Sequence, residues 1–163
     1  MRHPASSDNE NGRDSARPAP PIPMQVLHRV RVFVYQLDLG VPDYLLLHSA
    51  QGAEGLWRPV HGNIEFNEQF ETAVRREVLE ETGLINRSGL VDLEMPLRQI
   101  LGDEEVIHWN YGFQVEQAPE VLQIDRGRWD QYRWSRYEKA FSRFGLQGDR
   151  TAVTRLHSML HAA

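Results

Sequence analysis

The segment of residues 61–84, HGNIEFNEQFETAVRREVLEETGL, contains six glutamates in twenty-four positions. On an α-helix, at about 100° per residue, two of these glutamates fall within a largely apolar stripe. The stripe comprises Phe70, Ala73, Val74, Glu77, Glu81 and Leu84. Glu80 flanks it, so that Glu77, Glu80 and Glu81 converge on one region. Because buried charge is costly unless it is paired or ligated, the pattern indicates either a cation site or a helix held by salt bridges.

The residue types in this cluster limit which metal it could bind. The chain has no cysteine, which excludes disulfides, thiolate zinc sites and cysteine nucleophiles. Clustered carboxylates favour hard divalent ions, either Mg²⁺ or Mn²⁺. Such ions neutralise phosphate oxygens and help to deprotonate a water molecule. Arg76, four residues before Glu80, could pair with a carboxylate and orient it, or it could be an ordinary surface arginine.

Strand and helix patterns surround the acidic segment. Strands are predicted at residues 26–37, 43–49, 89–101 and 106–115, with a turn at 39–42 and a further short strand and helical turn within 131–141. The acidic helix is expected over about residues 68–82 and should end at Gly83. Residues 106–115 alternate apolar and mostly polar side chains, which is typical of a half-buried strand. A terminal helix is predicted over 149–160, with Asp149 as its N-cap. The sum is an α+β fold with a mixed sheet between helices.

Length and composition suit one globular domain. The chain has 163 residues, of which 40% are hydrophobic and 25% charged. Its net charge of −5 argues against a nucleic-acid or membrane-surface partner, since both require basic patches. No apolar run approaches the roughly 20 residues of a membrane span, and the first residues lack a signal peptide's apolar stretch. A cytoplasmic protein is therefore expected. Residues 1–23 are polar and proline-rich, which predicts a disordered tail before a domain at 24–163.

The acidic segment also fits a known motif. It resembles the Nudix box, G-x5-E-x7-R-E-U-x-E-E-x-G-U, in which U is an apolar aliphatic residue. All nine defined positions match, namely Gly62, Glu68, Arg76, Glu77, Val78, Glu80, Glu81, Gly83 and Leu84. The resemblance implies an α/β/α Nudix sandwich that hydrolyses a nucleoside diphosphate linked to another group.

Roles for individual residues follow from this resemblance. It implies that Glu77, Glu80 and Glu81 bind the metal, with the carbonyl of Gly62 as a further ligand. Glu68 and Arg76 resemble the partners that orient the loop and helix, and they complete the catalytic set with Glu77 and Glu80. The general base varies among relatives, and we favour Glu80 or Glu77.

Outside the box, the chain is similar to one branch of the family. LWRPVHGNIEFNE and QYRWSRYEKAF resemble segments of the dATP and dihydroneopterin triphosphate pyrophosphohydrolases. Asn67 stands where a glycine usually precedes Glu68, but asparagine tolerates left-handed backbone angles. Arg128 stands where relatives of this branch often carry a glutamate that assists metal binding, and Asp125 or Asp130 could compensate.

The resemblance predicts a Mg²⁺-dependent pyrophosphohydrolase that cleaves a nucleoside or pterin triphosphate to a monophosphate and pyrophosphate. The alternatives are a dinucleoside polyphosphate hydrolase and a non-catalytic Nudix module that senses a nucleotide. Trp57 and Arg58, which lead into the box, are the predicted substrate-binding residues. Three other aromatic residues, Trp109, Tyr111 and Trp129, could stack on a base or pack in the core. The substrate is expected to be a small molecule, and the protein a monomer or a homodimer.

Overall fold

The structure is a computed structural model that describes residues 17–19, 25–49 and 55–162. The predicted tail therefore lies almost entirely outside the described residues. In chain order, the elements are β1 (Gln25–Asp38), β2 (Val41–Ser49), β3 (Trp57–Arg58), β4 (Val60–Asn63), α1 (Phe70–Thr82), β5 (Val91–Asp92), β6 (Leu97–Leu101), β7 (Glu104–Gln114), β8 (Trp129–Ser135), α2 (Tyr137–Arg143) and α3 (Gln147–Ala162). Among the residues described, no helix is long and apolar enough to cross a membrane.

Strand β1 organises a mixed sheet, because its fourteen residues reach three other strands. On one side, residues 25–35 pair in parallel with β7. On the other side, residues 29–32 pair antiparallel with β4 and residues 35–38 pair antiparallel with β2. The sheet continues from β2 to β3 and β8, and from β7 to β5 and β6. β1 therefore fixes the position of β4, the strand that begins the acidic segment.

Helices cover the sheet on both faces and bury one core on each. Successive residues of β1 contribute to different cores, as alternation along a strand requires. The first core packs around α1 and includes Val30, Val32, Leu47, Val60, Ala73, Val74 and Val78. The second packs around α2 and α3 and includes Phe33, Tyr35, Leu46, Ala140, Val153 and Leu156. This arrangement is the predicted α/β/α sandwich.

Four residues in the left-handed region fix the turns at the site and beside it. Leu39 and Gly40 both have positive φ, 50° and 78°, as a two-residue type I′ hairpin requires. Asn67 also adopts a left-handed φ, of 59°, so the turn expected there forms without glycine. Gly83 ends α1 with φ of 72°, and its N–H donates to the Leu79 carbonyl at 2.9 Å. The acidic helix therefore begins and ends close to the predicted bounds.

The single strand predicted at residues 89–101 is wrong, because the chain forms two short strands there. Between β5 and β6, Glu94 has a positive φ of 51°, and Pro96 has no N–H to donate to a ladder. The half-buried pattern predicted for β7 is also wrong. β7 lies between β1 on one side and β5 and β6 on the other. Its even positions His108, Asn110 and Gly112 are therefore buried as well.

The start of the terminal helix also differs from the prediction. α3 begins at Gln147, where the Leu146 carbonyl accepts the N–H groups of Asp149 and Arg150 at 3.1 and 3.2 Å. Asp149 therefore lies in the first turn and is not an N-cap. Its fully buried carboxylate pairs instead with Arg31 at 3.0 Å and Arg58 at 2.7 Å. This bridge ties α3 to β1 and β3.

Candidate active site

Gly62 allows helix α1 to place a carboxylate directly against strand β4. A Cβ atom at Gly62 would overlap the carboxyl group of Glu77. Val60, two residues earlier on the same face of β4, packs in the core around α1. The absence of a side chain at Gly62 therefore sets how closely the acidic helix approaches the backbone of β4.

Arg76 connects the loop of residues 64–69 to the helix. Its Nε and Nη2 donate to both oxygens of Glu68, at 2.7 and 2.9 Å, and Nη2 also donates to the carbonyl of Asn63 at 2.9 Å. Its Nη1 donates to Glu77 at 2.9 Å and to Glu80 at 3.3 Å. The hydrogen bond from Arg76 is the main reason that the pKa of Glu68 lies below its usual value. A bidentate arginine–carboxylate pair is geometrically specific, so Arg76 fixes the loop relative to both glutamates.

The three box glutamates differ in burial. Glu77 and Glu81 are buried, whereas the side chain of Glu80 is 58% exposed. Desolvation raises the pKa of Glu77 and raises that of Glu81 to about 8, outweighing the opposing effect of nearby arginines. Two carboxyl groups are therefore held in an environment that does not fully compensate their negative charge.

Glu77 and Glu80 border an open cleft of about 560 Å³, a volume typical of small-molecule sites. The cleft is lined by Arg29, His61, Gly62, Asn63, Glu65, Arg76, Glu77, Glu80 and Arg128. Glu81 lies behind this lining, where it accepts a hydrogen bond from the His61 N–H at 3.3 Å and is ion-paired with Arg128. The walls thus combine carboxylates suited to a divalent ion with guanidinium groups suited to phosphate oxygens.

His61 lines the cleft as a neutral ring. Its Nδ1 lies 3.1 Å from the carbonyl of Pro59, so Nδ1–H donates there and Nε2 is left to accept from Arg58 at 3.2 Å. Burial lowers the pKa of His61 well below its ordinary value, and the nearby charges of Arg58 and Arg128 act in the same direction. Because both ring nitrogens have partners, His61 is not a candidate general base.

The carboxylate and carbonyl oxygens of the box fit a hard divalent ion, although the carboxylates are paired with arginines in the structure. Among the described residues, no three acidic or histidine side chains are arranged around one point as metal ligands. Glu77 and Glu80 face Arg76, while Glu81 faces Arg128. The candidate ligands offer only oxygen atoms, and Gly62 lets Glu77 approach the backbone of β4 closely. Buried Glu81 already has a cation, Arg128, beside it. These features suit a hard divalent ion.

The predicted substrate-binding residues Trp57 and Arg58 do not line this cleft. Trp57 packs against the core around α2 and α3, with its ring 4.9 Å from that of His48 and the guanidinium of Arg133 5.7 Å above it. Arg58 is occupied by the buried carboxylate of Asp149. Trp57 therefore packs away from the acidic cleft, whereas Arg58 is held between Asp149 and His61 of the cleft wall.

From this placement, Trp57→Ala is expected to destabilise the fold by about 1–3 kcal/mol, because it removes a half-buried ring from the second core. The KM for a nucleoside triphosphate should change less than about twofold, since the ring does not reach the cleft. Thermal unfolding and steady-state kinetics measure the two effects. A several-fold rise in KM at unchanged melting temperature would contradict this reading.

The other residues considered from the sequence also have defined places. Asp130 pairs with His48 at 2.6 Å, and Asp125 accepts the N–H of Gly127 at 3.0 Å, so neither faces the cleft to replace the carboxylate missing at position 128. Tyr111 and Trp129 are buried in the first core. Trp109 lies partly buried, with its ring centre 4.7 Å from that of Phe70.

Two arginines of the cleft were not among the predicted substrate-binding residues. Arg29 lies on β1 opposite Asn63 of β4, so only the strand register shows that it faces the box. Arg128 is 47 positions from its partner Glu81 and was recognised only as a departure from the pattern of relatives. Both side chains reach the site through long-range contacts.

The sandwich and the acidic helix define a class of protein, the Nudix fold. The NUDIX domain family profile matches residues 27–156. The chain belongs to this family, and the predictions of its fold and of a Nudix hydrolase are confirmed. A search of curated proteins found no match.

Solved structures of this fold are similar to the chain over most of its length. A Listeria monocytogenes protein described as a NUDIX hydrolase has a TM-score of 0.72 at 18% identity, covering 83% of this chain and 94% of that one. The Escherichia coli dihydroneopterin triphosphate pyrophosphohydrolase has a TM-score of 0.68 at 17% identity, covering 83% and 96%. The Caenorhabditis elegans Ap4A hydrolase has a TM-score of 0.65 at 18% identity, covering 84% and 99%. At such identities the likeness concerns the fold.

Proposed function

We propose that this protein is a Mg²⁺-dependent pyrophosphohydrolase that cleaves a nucleoside or pterin triphosphate to a monophosphate and pyrophosphate. The observation that supports this most directly is the pair of buried box carboxylates, Glu77 in the wall of the cleft and Glu81 behind it, beside arginines that line the cleft. Carboxylates of this kind suit a divalent ion, and the arginines suit the phosphates that such an ion accompanies.

In this proposal, Glu77, Glu80 and Glu81, with the carbonyl of Gly62, hold the metal. A bound divalent ion would neutralise phosphate charge and lower the pKa of a coordinated water molecule. Glu80 accepts the proton of the attacking water, because it is the most exposed of the three carboxylates and lies in the cleft wall. Mn²⁺ would satisfy the same ligands.

Other residues of the cleft position the substrate and the ligands. Arg76 and Glu68 hold the loop so that Glu77 and Glu80 keep their places. Arg29 lines the cleft, and its Nε is buried with no hydrogen-bond partner among the described residues. A buried donor left unpaired is costly, and a phosphate oxygen of the substrate would satisfy it.

A substrate panel at fixed Mg²⁺ tests the proposal. It compares dATP, GTP, dihydroneopterin triphosphate, diadenosine tetraphosphate and ADP-ribose, with release of phosphate and pyrophosphate as the readout. We expect the triphosphates to be cleaved fastest, with pyrophosphate as the product. A tenfold lead of the tetraphosphate would favour a dinucleoside polyphosphate hydrolase, the activity in the name of one structural relative. Nucleotide binding without turnover of any compound would instead favour a sensing module.

The same proposal includes the bounds of the catalytic domain, its partner, its compartment and its oligomeric state. We take residues 24–163 as the catalytic domain and 1–23 as a tail that precedes it. The expected partner is a small-molecule substrate, with no nucleic acid and no membrane, because the net charge is −5. A cytoplasmic enzyme, monomeric or homodimeric, agrees with a cysteine-free sequence.

A further inference from the structure

Arg128 is ion-paired with Glu81, the most buried of the three box glutamates. Its Nη1 is paired with Oε1 of Glu81. The Glu81 side chain is 3% exposed and does not line the cleft, whereas that of Arg128 is 36% exposed and does. The guanidinium therefore lies between the most buried box carboxylate and the space that the substrate would enter.

The loop that carries Arg128 is joined to the end of α1 by one backbone hydrogen bond, and two more hold the loop itself together. The N–H of Asp125 donates to the carbonyl of Glu81 itself at 2.9 Å. The carbonyl of Asp125 then accepts the N–H groups of Arg128 at 3.1 Å and Trp129 at 2.8 Å. These bonds keep the backbone at Arg128 in a fixed relation to the helix residue with which its side chain pairs.

The buried ring of Trp129 further restricts the guanidinium, which lies 5.0 Å from the ring centre. Arginine stacks well on an aromatic face and remains charged at all relevant pH values. Within the described residues, the hydrogen bonds and ion pairs of the Arg128 side chain involve Glu81 alone. The ion pair is thus a built feature of the site and not a chance contact between two surface side chains.

We propose, on the basis of the proposed function, that Arg128 is an internal counter-cation for Glu81 that competes with the divalent metal until substrate phosphates draw it away. One buried carboxylate cannot serve a guanidinium and a divalent cation equally well, since the two cations repel each other. A polyphosphate in the cleft offers Arg128 alternative oxygens for bidentate hydrogen bonds. Metal and polyphosphate binding are therefore positively coupled, and by linkage each strengthens the other.

The direct test is Mn²⁺ binding to Arg128→Gln, followed as free Mn²⁺ by electron paramagnetic resonance without any nucleotide. Hydrogen bonds to charged groups contribute enough that roughly tenfold tighter Mn²⁺ binding than in the unmodified protein is expected. Arg126→Gln is the matched control, because this exposed arginine of the same loop bonds the Asp130 carbonyl and does not contact Glu81. It should bind Mn²⁺ as the unmodified protein does. Arg128→Lys keeps a cation, so its Mn²⁺ affinity should lie between those of the unmodified protein and Arg128→Gln.

The second measurement adds methylenediphosphonate, a pyrophosphate analogue that is not hydrolysed, at a free Mn²⁺ concentration held constant by a metal buffer. Mn²⁺ occupancy should rise in the unmodified protein and in Arg126→Gln, and should rise at least fivefold less in Arg128→Gln. Equal Mn²⁺ affinity of Arg128→Gln and the unmodified protein, with both folded by circular dichroism, overturns the role of Arg128 while the metal site stands. Absence of Mn²⁺ binding in every variant, with and without the analogue, overturns both the role and the proposed metal site.

Discussion

Glu81→Gln is expected to lower turnover by roughly 100-fold or more while leaving the fold intact. The substitution keeps the shape of the side chain but removes the charge of the most buried carboxylate in the cluster. A neutral amide binds a hard divalent ion far less well than a carboxylate. Steady-state kinetics at several Mg²⁺ concentrations measure the loss, and raising Mg²⁺ should recover only part of it.

The matched control for this variant is Glu71→Gln. Glu71 lies on the exposed side of the first turn of the same helix, so the same chemical change occurs away from the cleft. Its turnover should stay within about twofold of the unmodified protein, because exposed charges contribute little. Near-normal turnover of Glu81→Gln at saturating Mg²⁺ would remove Glu81 from the proposed ligand set.

Glu81→Gln should also change how the stability of the metal-free protein depends on pH. Burial raises the pKa of Glu81 from its ordinary value of 4.5 to about 8 even beside the charge of Arg128, so folding favours the protonated carboxyl. This contribution is fully present below about pH 4.5 and is lost as the pH rises through 8. The amide does not titrate. In EDTA, the melting temperature of Glu81→Gln relative to the unmodified protein should therefore increase between pH 5 and pH 9.

The sequence predicted those parts of the site that depend on local spacing. Helical periodicity placed Glu77 and Glu81 on the buried side of α1, because a helix brings together residues four positions apart. Gly83 marked the helix end, and Asn67 supplied the left-handed turn. Each of these features is decided within one or two helical turns, where few alternative conformations compete.

Features that depend on register and on distant segments could not be predicted in the same way. Arg29 faces the cleft only because β1 pairs with β4 in one particular register. Asp149 was expected to cap α3, but its burial against Arg31 and Arg58 follows from the packing of that helix on the sheet. The second buried face of β7 has the same origin, since Gly112 meets Leu156 of α3. A sequence pattern records residue type and spacing, not which distant side chain will be the neighbour.

Gly62→Ala is expected to lower turnover by roughly 100-fold and to destabilise the protein by about 1–3 kcal/mol, the usual cost of overpacking. A methyl group at this position would overlap the Glu77 carboxyl group. Either β4 or the helix must shift, or Glu77 must leave its position beside Arg76. In each case the carboxylate, the proposed carbonyl ligand of Gly62 and the hydrogen bond from Arg76 can no longer keep their present arrangement. The loss should appear in kcat more than in KM, because it disturbs the ligands and not the cleft as a whole.

Gly89→Ala provides the control for the backbone effect of replacing glycine by alanine. A Cβ atom at Gly89 meets nothing within 4 Å, and its φ is not positive, so the variant should be as stable as the unmodified protein or slightly more stable. Gly89→Ala should therefore have both a higher melting temperature in EDTA and a higher turnover in Mg²⁺ than Gly62→Ala. If Gly62→Ala retained normal turnover while losing stability, the contact between β4 and Glu77 would be a packing feature of the fold and not part of the catalytic arrangement.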